Sequence, residues 1–248
     1  MRTASTSRVL VIGDVMLDQF LWGHVKRISP EAPVPVVEFE RESFMPGGAA
    51  NVARNLTALG TGVELFGLVG KDDGAKRLRA LLKGDAVGSG GLKPVSDRMT
   101  TRKTRVVAHQ QQVVRIDRET KQAGDSRTTK RLLSAVEKEL AGTGAIVVAD
   151  YNKGVVTQEL LEGLRALCRP RGIWLSLDPK PSHQLDISGL SLITPNRGEL
   201  FELAGLTDET RHSNPLRDKN LIAAVKAVQA AYQPALLLVT LSEQGMLL

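Results

Sequence analysis

The feature that most constrains the fold of this chain is a regular alternation of strand-length apolar runs with amphipathic helical stretches. From about position 130 onward, most apolar runs are followed by a stretch whose apolar residues recur with helical spacing. The predicted elements are helices over 129–140, 157–168, 196–205 and 220–232, with strands over 145–150, 173–180, 190–196 and 235–240. Strands joined through helices pair in parallel, so the sequence predicts an α/β fold with a central, mostly parallel sheet flanked by helices.

The first half of the chain shows the same alternation with two interruptions. Its predicted elements are strands over 9–13 and 63–70 and helices over 49–60 and 73–83, followed by a glycine-rich connection at 84–91. Segments at about 15–45 and 95–118 are β-like and break the alternation. We therefore expect a single domain over 1–248 in which these two segments form a small β-sheet lid on the main sheet.

Composition excludes several classes of function. The chain of 248 residues has a formal net charge of +6, but its cations are dispersed and aromatic residues make up only 4%, so a nucleic-acid partner is not predicted. A single cysteine, Cys168, excludes an internal disulfide and fits a reducing compartment, which predicts a cytoplasmic protein. No run of about 20 apolar residues is present, so no membrane partner is expected. The sequence also lacks G-x-G-x-x-G after its first strand and any paired histidine motif, which argues against a dinucleotide oxidoreductase and a zinc hydrolase.

Polar residues follow one predicted strand after another at its carboxyl end. They are Asp14 and Asp18; Asp150, Asn152 and Lys153; Asp178 and Lys180; Thr194, Asn196 and Glu199; and Thr240, Ser242 and Glu243. In open α/β sheets ligands bind at this edge, and the mixture of acids, amides and lysines suits a phosphorylated ligand with a metal ion. Each Asp or Asn could instead cap a helix.

The stretch PGGAAN at 46–51 opens a predicted helix with almost no side chains. A helix N-terminus presents unpaired N–H groups, and glycine lets a ligand approach them closely. Gly47, Gly48 and Asn51 are therefore candidates for holding sugar hydroxyls, and the carboxylates of Asp14 and Asp18 are further acceptors for such groups. A plain tight turn into the helix would also explain the glycines, and the two aspartates could cap a turn or bind a metal.

Taken together, these stretches resemble the ribokinase-like (PfkB) carbohydrate kinases. The resemblance is carried by GDVMLDQFLWGHVKRISPEAPVPVV, PGGAANVARNLTALG, TRKTRVVAHQQQVVRIDRE and TPNRGE, supported by DPK and VTLSEQG, and it covers essentially the whole chain. Within that family, RISPEAPVPVV resembles the kinases that phosphorylate D-glycero-β-D-manno-heptose 7-phosphate at O1, on the route to ADP-heptose and lipopolysaccharide. The resemblance implies a ribokinase-like fold, with ATP and Mg²⁺ as cofactors.

The resemblance also implies roles for individual residues. The implied substrate-binding residues are Asp14, Asp18, Gly47, Gly48 and Asn51, with Lys103, Arg105 and Gln111 for the heptose and its 7-phosphate. The implied nucleotide-binding residues are Asp178, Lys180, Asn196, Glu199, Thr240, Ser242 and Gly245. Glu199 is implied to arrange Mg²⁺ through water. The lid is implied to pair across a homodimer, while a solvated basic strand is the alternative explanation for Lys103 and Arg105.

The chain departs from the family pattern at the catalytic base. The family places that aspartate in a G-A-G-D segment, and the nearest string here is QAGD at 122–125. Asp125 precedes a helix and is flanked by charged residues, so we predict a helix cap there and leave the catalytic residue unknown. The sequence therefore predicts that the C-terminal part of the fold is absent from this stretch. A non-catalytic sugar-phosphate-binding module of the same fold, or a kinase for another sugar, is the alternative.

Overall fold

The computed structural model describes residues 8–248 of the chain. The strands are β1 (Arg8–Gly13), β2 (Val15–Ile28), β3 (Pro35–Gly48), β4 (Val63–Val69), β5 (Gly88–Pro94), β6 (Thr101–Ala108), β7 (Gln111–Arg118), β8 (Thr143–Ala149), β9 (Trp174–Asp178), β10 (Leu192–Ile193), β11 (Leu236–Leu237), β12 (Val239–Thr240) and β13 (Met246–Leu247). The helices are α1 (Ala49–Ala58), α2 (Asp73–Gly84), α3 (Ser126–Glu137), α4 (Gln158–Cys168), α5 (Arg197–Ala204) and α6 (Lys219–Tyr232).

The main sheet has seven parallel strands in the order β11-β10-β9-β8-β1-β4-β5. The predicted α/β fold with a parallel sheet is therefore confirmed. From β1 the chain goes first to β4 and β5 on one side and later to β8 on the other. The strand order thus reverses between β1 and β8, and ligands bind at such a switch point in sheets of this kind.

Helices cover both faces of the sheet, and the alternation of side chains along β1 shows how. Leu10 and Ile12 pack with residues of α3, α4, α5 and α6 in one core cluster. Val11 points to the opposite face and packs with residues of α1 and α2 in a second cluster. Because β1 lies at the centre of the sheet, all three of these side chains are fully buried.

A separate four-stranded sheet has the order β3-β2-β6-β7. The strands β2 and β6 are parallel, whereas β3 and β7 pair antiparallel to their neighbours. His109 and Gln110 form the turn from β6 to β7, and both have the positive φ that a two-residue type I′ hairpin requires. We call these four strands the small sheet; they fall in the two segments for which the sequence predicts a lid.

Two short segments differ from the prediction. The glycine-rich connection is not simply a loop, because Gly88–Pro94 pairs with β4 and forms an edge of the main sheet. The single strand predicted over 235–240 is split, since β11 joins the main sheet and β12 pairs with β13 instead. Cys168 is buried in the core as an ordinary packing residue. Within residues 8–248, no helix combines the length and apolar character needed to cross a bilayer.

Candidate active site

The first turn of α1 begins directly at the end of β3, without a side-chain cap. Gly48 is the N-cap residue, with a positive φ of 57°, and the Ala49 N–H donates to the carbonyl oxygen of Asp14 at 3.0 Å. A Cβ on Gly48 would lie 2.3 Å from that carbonyl, and one on Gly47 would lie 2.2 Å from Oδ2 of Asp18. Neither glycine can therefore be replaced without moving a neighbour, and Asn51 follows them, exposed, in the same turn.

Asp14 has a structural role in this geometry. Its carboxylate is 1% exposed and accepts the backbone N–H groups of Tyr151 and Lys153 on Oδ2 and of Val155 on Oδ1, at 2.9 to 3.0 Å. These three hydrogen bonds connect the loop after β8 to the residue that follows β1. The Asp14 carboxylate therefore points into the protein, and its oxygen atoms have little hydrogen-bonding capacity left for a ligand. This is contrary to the substrate-binding role that the sequence resemblance implies.

Asp18 lies on the face of the small sheet that continues toward Gly47. Its carboxylate forms an ion pair with the guanidinium of Arg105, which also lies over the Phe20 ring at 5.3 Å. Lys103 is the direct neighbour of Asp18 across the β2–β6 pairing, so both side chains point to the same face. The structure thus brings Asp18, Lys103 and Arg105 together, with Gly47 beside them.

Gln111 does not belong to this group. It begins β7 and pairs with Ala108, five residues beyond Lys103 along β6. At about 3.3 Å per residue, this places its backbone roughly 16 Å from the level of Lys103. The prediction that Gln111 joins the sugar-binding residues is therefore not supported by its position at the far end of the small sheet.

The Asn196–Glu199 turn forms a reciprocal capping box at the start of α5. The Asn196 side chain accepts from the Glu199 N–H, and Oε2 of Glu199 accepts from the Asn196 N–H, both at 3.0 Å. The alternative weighed from the sequence, helix capping, therefore applies to Asn196, and Glu199 completes the capping box from position N3. The second carboxylate oxygen of Glu199, Oε1, lies 3.3 Å from Nζ of Lys180.

Asp178 ends β9 beside this ion pair. Asp178 is an exposed residue, but the surrounding protein desolvates its carboxyl group and raises its pKa to about 6; the negative charge of Glu199 contributes to this rise, and Lys180 opposes it. Two carboxylates that repel each other next to one lysine form a site that favours a bound cation. No group of three or more metal-ligating side chains is found among residues 8–248, so a metal here would need ligands from water or substrate.

A cavity of about 450 Å³ joins α1 to the nucleotide side of the predicted site. Its lining includes Val52 of α1, Ala149 at the end of β8, Asp178, Asn196 and Glu199. Val52 follows Asn51 directly, so α1 borders the cleft at the carboxyl end of the sheet that the Asn196–Glu199 turn also lines, although Gly47, Gly48 and Asn51 are not among its lining residues.

The last three predicted nucleotide-binding residues lie at and beyond the edge of this cleft. Thr240 lines the cavity, and its N–H donates to the carbonyl of Pro195 at 3.0 Å. Ser242 and Gly245 lie in the exposed turn between β12 and β13, both with positive φ. They are adjacent to the cavity in sequence but are not among the residues that line it.

The loop after β8 contains residues that the sequence-based site set omits. The Asp150 carboxylate, almost fully buried, contacts Nδ1 of His183 at 2.8 Å, and Lys153 pairs with Glu119 at 2.8 Å. Burial is the main reason that the pKa of Asp150 is raised, and His183 opposes that rise. The position of this loop directly after a buried strand indicates that its residues lie at the edge of the sheet where ligands bind. Nothing in the spacing of the sequence links Asp150 to His183.

Tyr151 lies within electrostatic reach of carboxylates from both sides of the predicted site. Burial, followed by the negative charges of Asp178, Asp14 and Asp18, raises the pKa of the Tyr151 phenol. Its ring is one-third exposed. An aromatic side chain at this place adds a surface on which a sugar ring can rest.

Comparison with known protein families identifies the family of this chain. The family described as pfkB family carbohydrate kinase matches residues 6–248. The chain belongs to the pfkB family. Its main sheet, flanking helices and small additional sheet are the ribokinase-like arrangement that the sequence predicts.

Curated relatives extend the comparison. The chain is 37% identical over 240 residues to the bifunctional protein HldE of Sulfurimonas denitrificans and 40% identical over 238 residues to that of Helicobacter pylori J99. These matches cover 97% and 96% of this chain but only 49% and 50% of the relatives. The chain therefore spans about half the length of the curated relatives it matches.

Solved structures agree on the fold at lower sequence identity. Phosphofructokinase-2 of Escherichia coli, in its tetrameric inhibited form, aligns with a TM-score of 0.74 at 20% identity, covering 97% of this chain and 75% of that one. Arabidopsis thaliana ribokinase complexed with ribose and ATP aligns with a TM-score of 0.68 at 16% identity, covering 97% and 74%. These similarities establish the fold alone.

Proposed function

We propose that this chain is the sugar-binding and phosphate-binding part of an ATP-dependent kinase for D-glycero-β-D-manno-heptose 7-phosphate, acting at O1. The observation that carries the proposal is the cleft at the carboxyl end of the sheet, which is lined by Val52 of α1 on one side and by Asn196 and Glu199 on the other. Membership of the pfkB family supports sugar phosphorylation. The heptose substrate is supported by the segment RISPEAPVPVV and by the relatives named HldE.

On the sugar side, the proposed role of Asn51 is to orient hydroxyl groups beside the bare backbone of Gly47 and Gly48. Asp18 is positioned by Arg105 and can accept a further hydroxyl. Lys103 forms no ion pair with any of residues 8–248, so its ammonium is available to the 7-phosphate group. A half-buried lysine without an ion-pair partner among residues 8–248, on the same face as Asp18, would favour a phosphorylated sugar over an unphosphorylated one.

On the phosphate side, Asp178 and Glu199 are the proposed residues for a divalent cation, directly or through water, and Lys180 for a nucleotide phosphate. The fit rests on the position of both carboxylates in the lining of one cavity, where a cation would reduce the repulsion between Glu199 and Asp178. When bound, Mg²⁺ supplies charge neutralisation on the transferred phosphate groups. Thr240 lines the same cavity and is proposed to face the nucleotide.

A sugar-phosphate-binding module without catalysis is the second candidate. It is favoured by three aspartates around the predicted site that already have partners: backbone N–H groups bind Asp14, Arg105 pairs with Asp18, and His183 contacts Asp150. Asp125, in the string nearest to the family's base segment, caps α3 by accepting the Thr128 N–H at 2.7 Å. Neither observation provides a free carboxylate to deprotonate the sugar O1.

An assay of heptose 7-phosphate phosphorylation tests the proposal. ADP release and the bisphosphorylated product would be measured together for the 248-residue chain and for the complete product of its gene. Product formation by either protein supports the kinase. Binding of heptose 7-phosphate without product in both proteins supports the second candidate, and the absence of binding in both contradicts the assigned site.

A further inference from the structure

A second cavity of the described chain lies away from the cleft. It is a groove of about 1050 Å³ between α3 and the β4–β5 edge of the main sheet. None of its lining residues lines the cavity that joins Val52 to Asn196 and Glu199. Its volume reaches the upper end of the range of about 300–1,000 Å³ that is typical of ligand pockets. We call it the α3 groove.

One wall of the α3 groove is strongly cationic. Arg127, Lys130, Arg131 and Lys138 project from successive turns of α3 and its C-terminal end, and all four are exposed. None of them forms an ion pair with a carboxylate among residues 8–248. Arg127 and Lys138 are eleven positions apart, so the charged wall is about 16 Å long.

The two carboxylates in the groove are already engaged. Glu139 pairs with Arg8 at 2.8 Å, and Oε1 of Glu64 accepts the Gly91 N–H at 3.1 Å. Lys93 also lines the groove, so its lining contains five positive side chains and two negative ones. Both negative side chains already interact with other groups of the protein. The groove favours an anion for this reason.

The opposite wall is the glycine backbone of the edge strand β5. Gly90 and Gly91 line the groove, and β5 has a strand neighbour on one side only. Arg79 of α2 donates to the carbonyl oxygens of Ser89 and Leu92, both at 2.7 Å, so main-chain acceptors of this edge are covered. A strand backbone without side chains allows a ligand to approach closely. Because Arg79 already binds carbonyl oxygens of this strand, a negatively charged ligand meets less repulsion there.

We propose that the α3 groove is a second ligand site, separate from the cleft, for a small molecule that carries two or more phosphate groups. The length of the cationic wall matches a short chain of phosphates better than a single ion. Only Phe66 and Ala135 contribute apolar side chains to its lining, and Phe66 is almost fully buried. The groove therefore offers no aromatic surface on which nucleic-acid bases could stack.

Isothermal titration of the full chain with tripolyphosphate tests this site, with cytidine 5′-triphosphate as a second probe to show whether a base adds affinity. The double substitution Arg127→Glu with Arg131→Glu is expected to weaken tripolyphosphate binding at least about tenfold, because it removes two cations and adds two repelling charges. Arg127→Gln with Arg131→Gln provides a milder variant with no introduced charge. Thermal unfolding confirms that each variant folds.

Two controls make the outcome decisive. Lys226→Glu changes an exposed lysine on α6 and is expected to leave tripolyphosphate affinity within about twofold of the parent value. Lys180→Ala, in the cleft, is expected to leave binding to the groove intact. The proposal is wrong if the groove variants bind as the parent does, if Lys226→Glu loses as much affinity, or if a short single-stranded oligonucleotide binds more tightly than tripolyphosphate.

Discussion

Gly47 and Gly48 show how one pair of residues can serve packing and binding together. Each glycine is required by a neighbour in the protein itself, since a Cβ would meet Asp18 or the Asp14 carbonyl within about 2.3 Å. The same absence of side chains leaves the first turn of α1 open beside Asn51. The sequence alone could not separate these two causes, because a turn and a ligand site require the same residue.

Asn51→Leu tests the sugar side at the scale of one side chain. We expect heptose 7-phosphate binding to weaken at least about tenfold, because a directional amide is lost from the helix start. The fold should remain intact, since Asn51 is exposed and leucine favours a helix. Titration calorimetry measures the affinity. Asn55→Leu, one turn along on the same helix and also exposed, is the matched control, and an equal loss in both variants would falsify the assignment.

Lys103→Ala tests whether Lys103 of the small sheet contacts the phosphate group of the substrate. We expect the affinity for heptose 7-phosphate to fall about tenfold or more, and that for unphosphorylated heptose to change little, because only the former presents a charge to the lysine. Arg102→Ala is the matched control, since neighbouring residues of a strand point to opposite faces. Equal losses for both sugars would mean that Lys103 does not contact the phosphate.

At the scale of elements, periodicity predicted most of what holds the sheet together. The buried run at 9–13 and the helical stripe at 49–60 correspond to β1 and α1 within two residues. The prediction missed β5, because Gly88, Gly90 and Gly91 carry no pattern, and their strand conformation comes from pairing with β4. It also missed the contact of Asp150 with His183, since 33 positions separate the two and only the fold brings them together.

One ion-pair network fixes the start of both α5 and α6. Arg197, the first residue of α5, donates to Asp208 and to Asp218 at 2.7 and 2.9 Å, and Asp218 caps α6 through the Leu221 N–H. Arg197 follows Asn196 directly, so the network also holds the turn that faces the cleft. Burial would raise the pKa of Asp218, but hydrogen bonds from Thr210, Leu221 and Arg197 outweigh it and lower the pKa to about 2.

Asp218→Asn should therefore reduce the free energy of unfolding at pH 7 by about 2–4 kcal/mol, because the buried ion pair with Arg197 is lost, whereas an asparagine oxygen can still accept the Leu221 N–H. The pKa of Asp218 is lower in the folded state, so its stabilising contribution is complete above about pH 4 and is lost as the pH falls toward 2. Urea unfolding at several pH values should show that the difference between parent and variant shrinks in that window. Asp73→Asn, at a carboxylate 95% exposed, should change stability by less than about 0.5 kcal/mol at any pH.

At the scale of the whole molecule, the two faces of the small sheet have opposite character. The face with Asp18 and Lys103 is charged and continues toward the cleft. The other face carries Leu21, Val106 and Val114 side by side across three strands, with Ile116 next to them. Val114 and Ile116 are 48% and 46% exposed, which is a high exposure for β-branched residues that neighbour one another on a sheet.

We expect this apolar face to pair with the same face of a second copy, giving a homodimer, because a self-complementary surface closes under two-fold symmetry. Sedimentation velocity at micromolar concentration should show a dimer for the parent chain and a monomer for the double substitution Val114→Glu with Ile116→Glu. Leu206→Glu, at a residue 42% exposed in the loop after α5, is the matched control and should remain dimeric. A monomeric parent would contradict the predicted dimer, and a dimer that persists in the double variant would place the contact elsewhere. In either case the apolar face of the small sheet would be exposed in solution. The charged face would then be the functional surface of the small sheet.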